Sequence, residues 1–298
     1  MMKKRILACI LSFAMAFSLM PMTFASAEES NYAAQIETQE ENVQNGGVNE
    51  NETTITFESE DYTISKGGTY SLEGGNYQTY SIVIATTEDV TLNILGDITA
   101  KTNNAFFYGG ENTAINLTIN GNGHTIKINS ALLCAYSKQA NVVINGGTYL
   151  GNDYPFAIIG NFGTMTVNYG TFKKTTGSAA IFGNSGTLNI NEIGGDTIIC
   201  GNSQESPIVS SGTVNMCGGT IKNSLYAIEL SLSKGSAKIG DSATFSDNTA
   251  DIRLSTGTVF TIEDNFNGQV SVSVSDTVNT NAKRQITATG TSKTMLNR

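Results

Sequence analysis

A short hydrophobic motif that returns throughout the chain constrains its fold more than any other feature. The motif sets two apolar residues around a small outward one and then turns. Its copies are Leu92-Asn93-Ile94, Leu117-Thr118-Ile119, Val142-Val143-Ile144, Met165-Thr166-Val167, Leu188-Asn189-Ile190, Val214-Asn215-Met216, Ala237-Lys238-Ile239 and Phe260-Thr261-Ile262. From Ile94 to Ile262 the successive steps are 25, 25, 23, 23, 26, 23 and 23 residues. Such a period is the mark of a solenoid, whose units bury their apolar faces only against one another.

Each period holds more than one strand. After the motif come Gly147-Thr148-Tyr149, Gly170-Thr171-Phe172, Asp196-Thr197-Ile198, Gly219-Thr220-Ile221 and Ala243-Thr244-Phe245. A Gly/Asn turn follows, and then a third run: Ala157-Ile158-Ile159, Ala180-Ile181-Phe182, Ile208-Val209-Ser210, Ala227-Ile228-Glu229 and Asp251-Ile252-Arg253. No helical period of 3.6 residues runs through this region. The expected fold is all-β: a parallel β-helix, or solenoid, of about eight coils with three short strands per coil. Its core should take Leu117, Ile119, Val142, Ile144, Val167, Leu188, Ile190, Val214 and Met216.

Two columns follow from the repeat. Asn120, Asn145, Asn168 and Asn191 each follow the apolar residue that ends the motif in four consecutive coils. Coils stack about 4.8 Å apart, so these side chains should hydrogen-bond into a structural ladder. In the third strand, alternation sends Ile158, Ile181, Ile208, Ile228 and Ile252 inward. It then sends Ile159, Phe182 and Val209 outward as an apolar row, followed by Glu229 and Arg253. A contiguous exposed row of this kind reads as a partner surface, unless the stretch Gln204-Glu205-Ser206-Pro207 folds over it. Glu229 and Arg253 should stack as a cross-strand ion pair.

The N-terminal residues have another character. Lys3, Lys4 and Arg5 precede an apolar stretch over residues 6–20, and Ala25-Ser26-Ala27 is a cleavage signature. Residues 1–27 therefore read as a secretory signal peptide, and the protein is expected to be secreted or extracellular, at the cell surface. The apolar stretch is short for a membrane span, and none is expected in the mature chain. Removing the leader shifts the net charge from −9 to −12. Ten acids and no base lie between Glu28 and Asp61, so residues 28–53 read as a disordered acidic linker. The solenoid domain then spans 54–298, and the reading leaves room for it to continue past Arg298. A net negative charge excludes nucleic acid as a partner. Cys134, Cys200 and Cys217 remain, an odd set that suits small buried hydrophobes better than a disulfide framework.

The units Gly218-Gly219-Thr220-Ile221-Lys222-Asn223 and Gly146-Gly147-Thr148-Tyr149-Leu150-Gly151-Asn152 resemble the pectin-lyase-like right-handed parallel β-helix superfamily. The stretch Ile64-Ser65-Lys66-Gly67-Gly68-Thr69-Tyr70-Ser71-Leu72, followed by Val90-Thr91-Leu92-Asn93-Ile94-Leu95-Gly96, is similar to secreted bacterial proteins labelled carbohydrate-binding. The resemblance covers residues 63–274 and implies a right-handed coil. It also implies polysaccharide chemistry, since enzymes of this superfamily cleave acidic polysaccharides from outward columns rich in acids and bases. The matching column here reads Asn93, Thr118, Val143, Thr166, Asn189, Asn215, Lys238 and Thr261, without a carboxylate. The superfamily's Asn-Thr-Asp, Asp-Asp, Gly-His-Gly and Arg-Ile-Lys sets are missing. His124, in Gly121-Asn122-Gly123-His124, reads as a turn residue. The spacing of Asp241, Asp247 and Asp251 matches no Ca²⁺ motif, so no metal or other cofactor is expected.

The functional expectation is a non-catalytic extracellular binding module whose partner is an extracellular or cell-wall polysaccharide. With no Trp in the chain, sugar contacts would fall to Tyr108, Tyr136 and Tyr154, which lie at or beside turns. A lyase or hydrolase with a loop-borne site, and a structural stalk or adhesin fragment, are the alternatives.

Overall fold

The computed structural model describes residues 52–57, 60–102, 105–110, 112–151, 157–174, 176, 180–231, 234–240, 242–274, 285–288 and 296–297. The leader and all but the last two residues of the expected linker lie outside them. The described chain is a parallel β-solenoid of about nine turns, one more than the repeat count suggested. Each full coil carries three strands, as expected. One 17-stranded sheet bends to form two faces, and an 11-stranded sheet forms the third.

The coil that opens at Thr164 shows how the sequence builds this section. Strand Thr164–Lys174 runs along the first face, crosses a corner and continues along the second. Strand Phe182–Asn184 then forms the third face. On the first face Met165 and Val167 are fully buried, while Thr164 and Thr166 point outward. Apolar alternation with a period of two thus fills one interior column after another. All nine predicted core residues, from Leu117 to Met216, are at most 1% exposed.

The corners are set by glycine and asparagine. Gly146 takes φ = 71°, and a Cβ there would lie 2.6 Å from the Tyr169 ring. At the corner before the first face, a Cβ on Gly186 would meet the carbonyl oxygen of Gly163 at 2.0 Å. That same carbonyl accepts the Thr187 N–H at 2.8 Å, so the two coils are drawn together where only glycine fits.

The asparagine ladder forms and is longer than expected. Each Nδ2 donates to the Oδ1 of the preceding coil: Asn191 to Asn168 at 3.2 Å, Asn168 to Asn145 at 2.9 Å, and Asn145 to Asn120 at 3.0 Å. Asn120 then donates to Asn93 at 2.9 Å, and Asn93 to the Glu52 carboxylate at 3.0 Å. All the amide dipoles point the same way, and an anion closes the donor end. That is the arrangement in which neighbouring hydrogen bonds polarise one another favourably. Glu52 belongs to strand Glu52–Thr54, which pairs with Thr69, Tyr70 and Ser71, so the solenoid begins two residues before 54.

Asn93 also corrects the register of the first coil. Leu92 pairs with Ile119 and Thr91 with Thr118, so the copy in register is Val90-Thr91-Leu92 and the step to the next coil is 27 residues. Strand Asp89–Ile94 buries Val90, Leu92 and Ile94 alike. A slip of two residues keeps every side chain on its own face, so periodicity cannot detect it.

At the N-terminal end the Phe57 ring meets Tyr62, Tyr77 and Tyr80 at centroid distances of 6.5, 5.1 and 6.2 Å. Phe57, Tyr62 and Tyr77 pack against the core at the N-terminal end of the described coils.

Two stability predictions follow from the columns. Ile144→Asp should cost about 3–5 kcal/mol in urea denaturation, because the carboxylate would sit unpaired in the core. An unchanged midpoint would overturn the inward register. Asn145→Ala removes two ladder bonds and should cost about 1–3 kcal/mol, whereas Asn191→Ala removes one and should cost less.

Candidate functional site

The third face carries most of the chemistry. Register places Val83, Tyr108, Cys134, Gly160, Gly183, Val209, Glu229 and Arg253 in its outward column. An aromatic strip runs beside its N-terminal half, and its C-terminal end is charged.

At the aromatic end Tyr108 lies in strand Phe107–Gly109, and Tyr136 directly follows strand Leu133–Ala135. Their rings meet edge-on at 5.7 Å. Phe162, directly after strand Ile159–Asn161, extends the strip at 5.6 Å from Tyr136. All three rings are half-buried, so each packs one part and presents another to solvent. Tyr108 and Tyr136 are thus brought together as candidates. Tyr154 lies outside the described residues. Phe162 escaped the sequence reading, although it stands 26 residues after Tyr136 at the equivalent point of the next coil.

The expected apolar partner row is not formed. Ile159 is 0% and Phe182 1% exposed, and only Val209 is half-buried at an outward position. Ile159 pairs with Phe182, and Phe182 pairs with Ile208, so those three share one inward column. The outward residues beside Val209 are Gly160 and Gly183. The corner explains the error. Ile158 and Ile181, which precede the strands, are also buried, so two successive residues face the interior there. Strict alternation holds within a strand, and these third-face strands are three residues long.

A second amide ladder lies inside this face. Asn161 donates to Asn184 Oδ1 at 2.7 Å, and Asn184 donates to Ser210 Oγ at 2.9 Å. All three residues are at most 1% exposed. Asn161 Nδ2 also reaches the Thr187 carbonyl, and Asn184 Nδ2 the Thr213 carbonyl, each at 2.9 Å. The Gly-Asn pairs at 160–161 and 183–184 were the available signal.

At the charged end Arg253 and Glu229 pair as expected, at 3.1 Å. The guanidinium carbon lies 4.9 Å from the centre of the Tyr226 ring. Glu229 accepts a second bond, from Ser206 Oγ at 2.9 Å. Beside it, burial pushes the Glu205 carboxyl above its ordinary range. Lys174 pulls it back down, and the Glu229 charge pushes it up further. Lys174 takes an inward position, in line with Ala100, Ile128 and Gly151, and is 3% exposed. Two cations and two carboxylates thus meet where the 201–207 segment crosses from the second face to the third.

Elsewhere, His124 precedes strand Thr125–Ile128 in a turn, with its Nδ1 3.7 Å from Asp97. The outward column of the first face holds Thr91 in place of Asn93. Asn215 donates there to Asn189 at 2.9 Å, and Asn189 to Thr166 at 3.3 Å. None of the three cysteines is disulfide-bonded, and none is buried: Cys134 and Cys200 are half-buried and Cys217 is exposed. Cys134 and Cys200 stand on the outward register, which corrects their reading as core residues. No group of His, Cys, Asp and Glu among the described residues has the arrangement of a metal site. No helix among the described residues is long and apolar enough to cross a membrane.

No protein-family model, curated protein or solved structure matches the chain. The resemblance to pectin-lyase-like proteins therefore rests on the motifs quoted above and on the solenoid fold.

The electrostatic pull of Lys174 on Glu205 predicts a pH-dependent coupling. In a double-mutant cycle with Lys174→Met and Glu205→Gln, the pair should couple favourably by about 1 kcal/mol at neutral pH. The coupling should vanish in acid, where Glu205 is protonated. The folded pKa lies above the ordinary 4.5, so the fold binds this proton more tightly than the unfolded chain does. The stability contributed by that proton is full below 4.5 and is lost as the pH rises through the folded pKa. Urea denaturation of the four proteins at both pH values checks this, and coupling that persists in acid would rule the interaction out.

Proposed function

We propose that the chain is an exported, non-catalytic carbohydrate-binding module built on a right-handed β-helix of the pectin-lyase-like kind. It takes its polysaccharide along the third face. The observation that carries the reading is the aromatic strip of Tyr108, Tyr136 and Phe162 on three successive coils. Aromatic rings offer a sugar a flat apolar surface against its C–H groups, and the two phenols add hydrogen-bonding tips. Rings repeated at the coil spacing run along the solenoid axis, so the strip suits an extended glycan lying parallel to that axis. Buried Ile159 and Asn161, which bonds to Asn184, hold the backbone beside Phe162, which lowers the ordering cost of binding at that end of the strip. The leader-like residues 1–27 would deliver the module outside the cell.

The test is a glycan array, followed by calorimetry on the best ligand. Tyr108→Ala with Tyr136→Ala should weaken binding by about tenfold or more, at roughly 1 kcal/mol per ring, without lowering Tm by more than a few degrees. An array without binders, or full affinity in the double variant, would overturn the reading. Release of reducing sugar or of unsaturated product from any glycan would move it to an enzyme.

A further inference from the structure

The outward column of the second face differs from the others. Between Thr99 and Ser246, register sets Lys127, Leu150, Lys173, Cys200 and Lys222 in a single file, one per coil. Cations thus occupy alternate coils, with a less polar residue between each pair. At about 4.8 Å per coil the lysines stand roughly 10 Å apart. Lys127 and Lys173 are exposed, and Lys222 is half-buried. None of the three makes an ion pair among the described residues. The file holds no carboxylate, and the neighbouring outward file on the same strands supplies the hydroxyls of Thr148, Thr171 and Thr220. On the other faces outward cations are matched: Lys238 with Glu263, and Arg253 with Glu229. An unmatched positive line is conspicuous on a chain whose net charge is −9.

We propose that this file is a docking surface for an extracellular poly(alditol phosphate), a linear polymer of phosphodiesters joined by short polyol linkers. Each lysine takes one phosphate. The linker carbons cross Leu150 and Cys200, and their hydroxyls meet the threonine file. Lysine suits this role because its ammonium is a point charge that meets a phosphate oxygen from many directions. The file holds no arginine, whose rigid fork would fix a phosphate or a carboxylate in one bidentate geometry. Alternation also matters before binding. Lysines on adjacent coils would repel strongly, whereas alternate placement weakens that repulsion and lets a straight array exist in the free protein. The flexible lysine stems let the ammoniums converge on a phosphate repeat that, with a three-carbon linker, is shorter than two coil steps. This surface does not depend on the aromatic strip, which lies on another face.

The experiment is calorimetry of the purified chain with poly(glycerol phosphate), alongside polygalacturonate and neutral dextran, at low and at physiological salt. Poly(glycerol phosphate) should bind, and more weakly as salt rises. The variant Lys127→Gln/Lys173→Gln/Lys222→Gln should lose about tenfold or more in affinity. Lys66→Gln/Lys138→Gln/Lys234→Gln removes the same charge from exposed positions off the file and should stay within about twofold of the parent. All six lysines are outward or in loops, so both variants should keep the parent's melting temperature, which shows that each is folded. No binding of poly(glycerol phosphate), equal losses in the two triple variants, or equally tight binding of polygalacturonate would each overturn the proposal. Tyr108→Ala/Tyr136→Ala should leave this binding unchanged, so failure of the glycan reading would not be mistaken for failure of this one.

Discussion

Everything in this molecule depends on parallel, in-register stacking at the spacing of a β-ladder. Each side chain sits about 4.8 Å from the equivalent side chain of the next coil, so it must be compatible with a neighbour of its own position. Isoleucine, leucine and valine meet that condition by packing on themselves. Asparagine meets it because one amide both donates and accepts, which lets Asn93, Asn120, Asn145, Asn168 and Asn191 form one continuous chain. Glycine meets it where two backbones close to within the reach of a Cβ, as at Gly163 and Gly186. A charge does not meet it alone. Charged residues in outward columns therefore stand beside an opposite charge or skip a coil.

This condition also explains how far the sequence could be read. Self-compatible columns repeat, and repetition is visible without a structure, so the solenoid, its three strands per coil, its core and its Asn ladder were all legible. Among the features that were not, two concern the phase of the repeat. The Val90-to-Ile94 stretch offers two equally good phases, because a shift of two residues changes neighbours without changing faces. At the corner before the third face, Ile158 and Ile159 both turn inward, and a rule of alternation has to place one of them outside. Both failures occur where the backbone leaves regular strand geometry or where apolar residues outnumber the positions needed to fix a phase. The site inherits the second failure: the apolar row at Ile159 and Phe182 vanished, and the outward register positions there fall to the buried Gly160 and Gly183.

The same condition separates structure from function in this fold. Interior columns are fixed by packing and leave little room for chemistry. Outward columns are freer, and each face here carries a different kind. The first face is lined with Thr and Asn that bond to one another along the stack, which satisfies much of its polar surface. The second face bears an unmatched file of lysines. The third changes from aromatic to charged along its length. The aromatic strip and the positive file are thus held apart by a rigid core, so the two proposed ligands would not compete for one surface.

The charged end of the third face shows how a solenoid acquires chemistry that its repeat does not contain. The coil between Ile190 and Met216 is 26 residues long, three more than the coils on either side of it. Its extra residues fall at 191–196, the corner before Thr197, whereas the 201–207 segment is of ordinary length and returns to register at Ile208 opposite Phe182. The interior columns therefore pass through this coil without a break. The segment nevertheless delivers Ser206 onto Glu229 and brings Glu205 within the field of Lys174. Lys174 itself stands in a column otherwise filled by Ala100, Ile128 and Gly151, a buried cation where the repeat asks for an apolar residue. Such a cation is tolerable only with an anion near it, and the 201–207 segment of the next coil supplies Glu205. The departure from the repeat at 174 and the carboxylate at 205 are therefore two halves of one feature. In a fold where repetition specifies the scaffold, paired departures of this kind are where specific chemistry is to be sought.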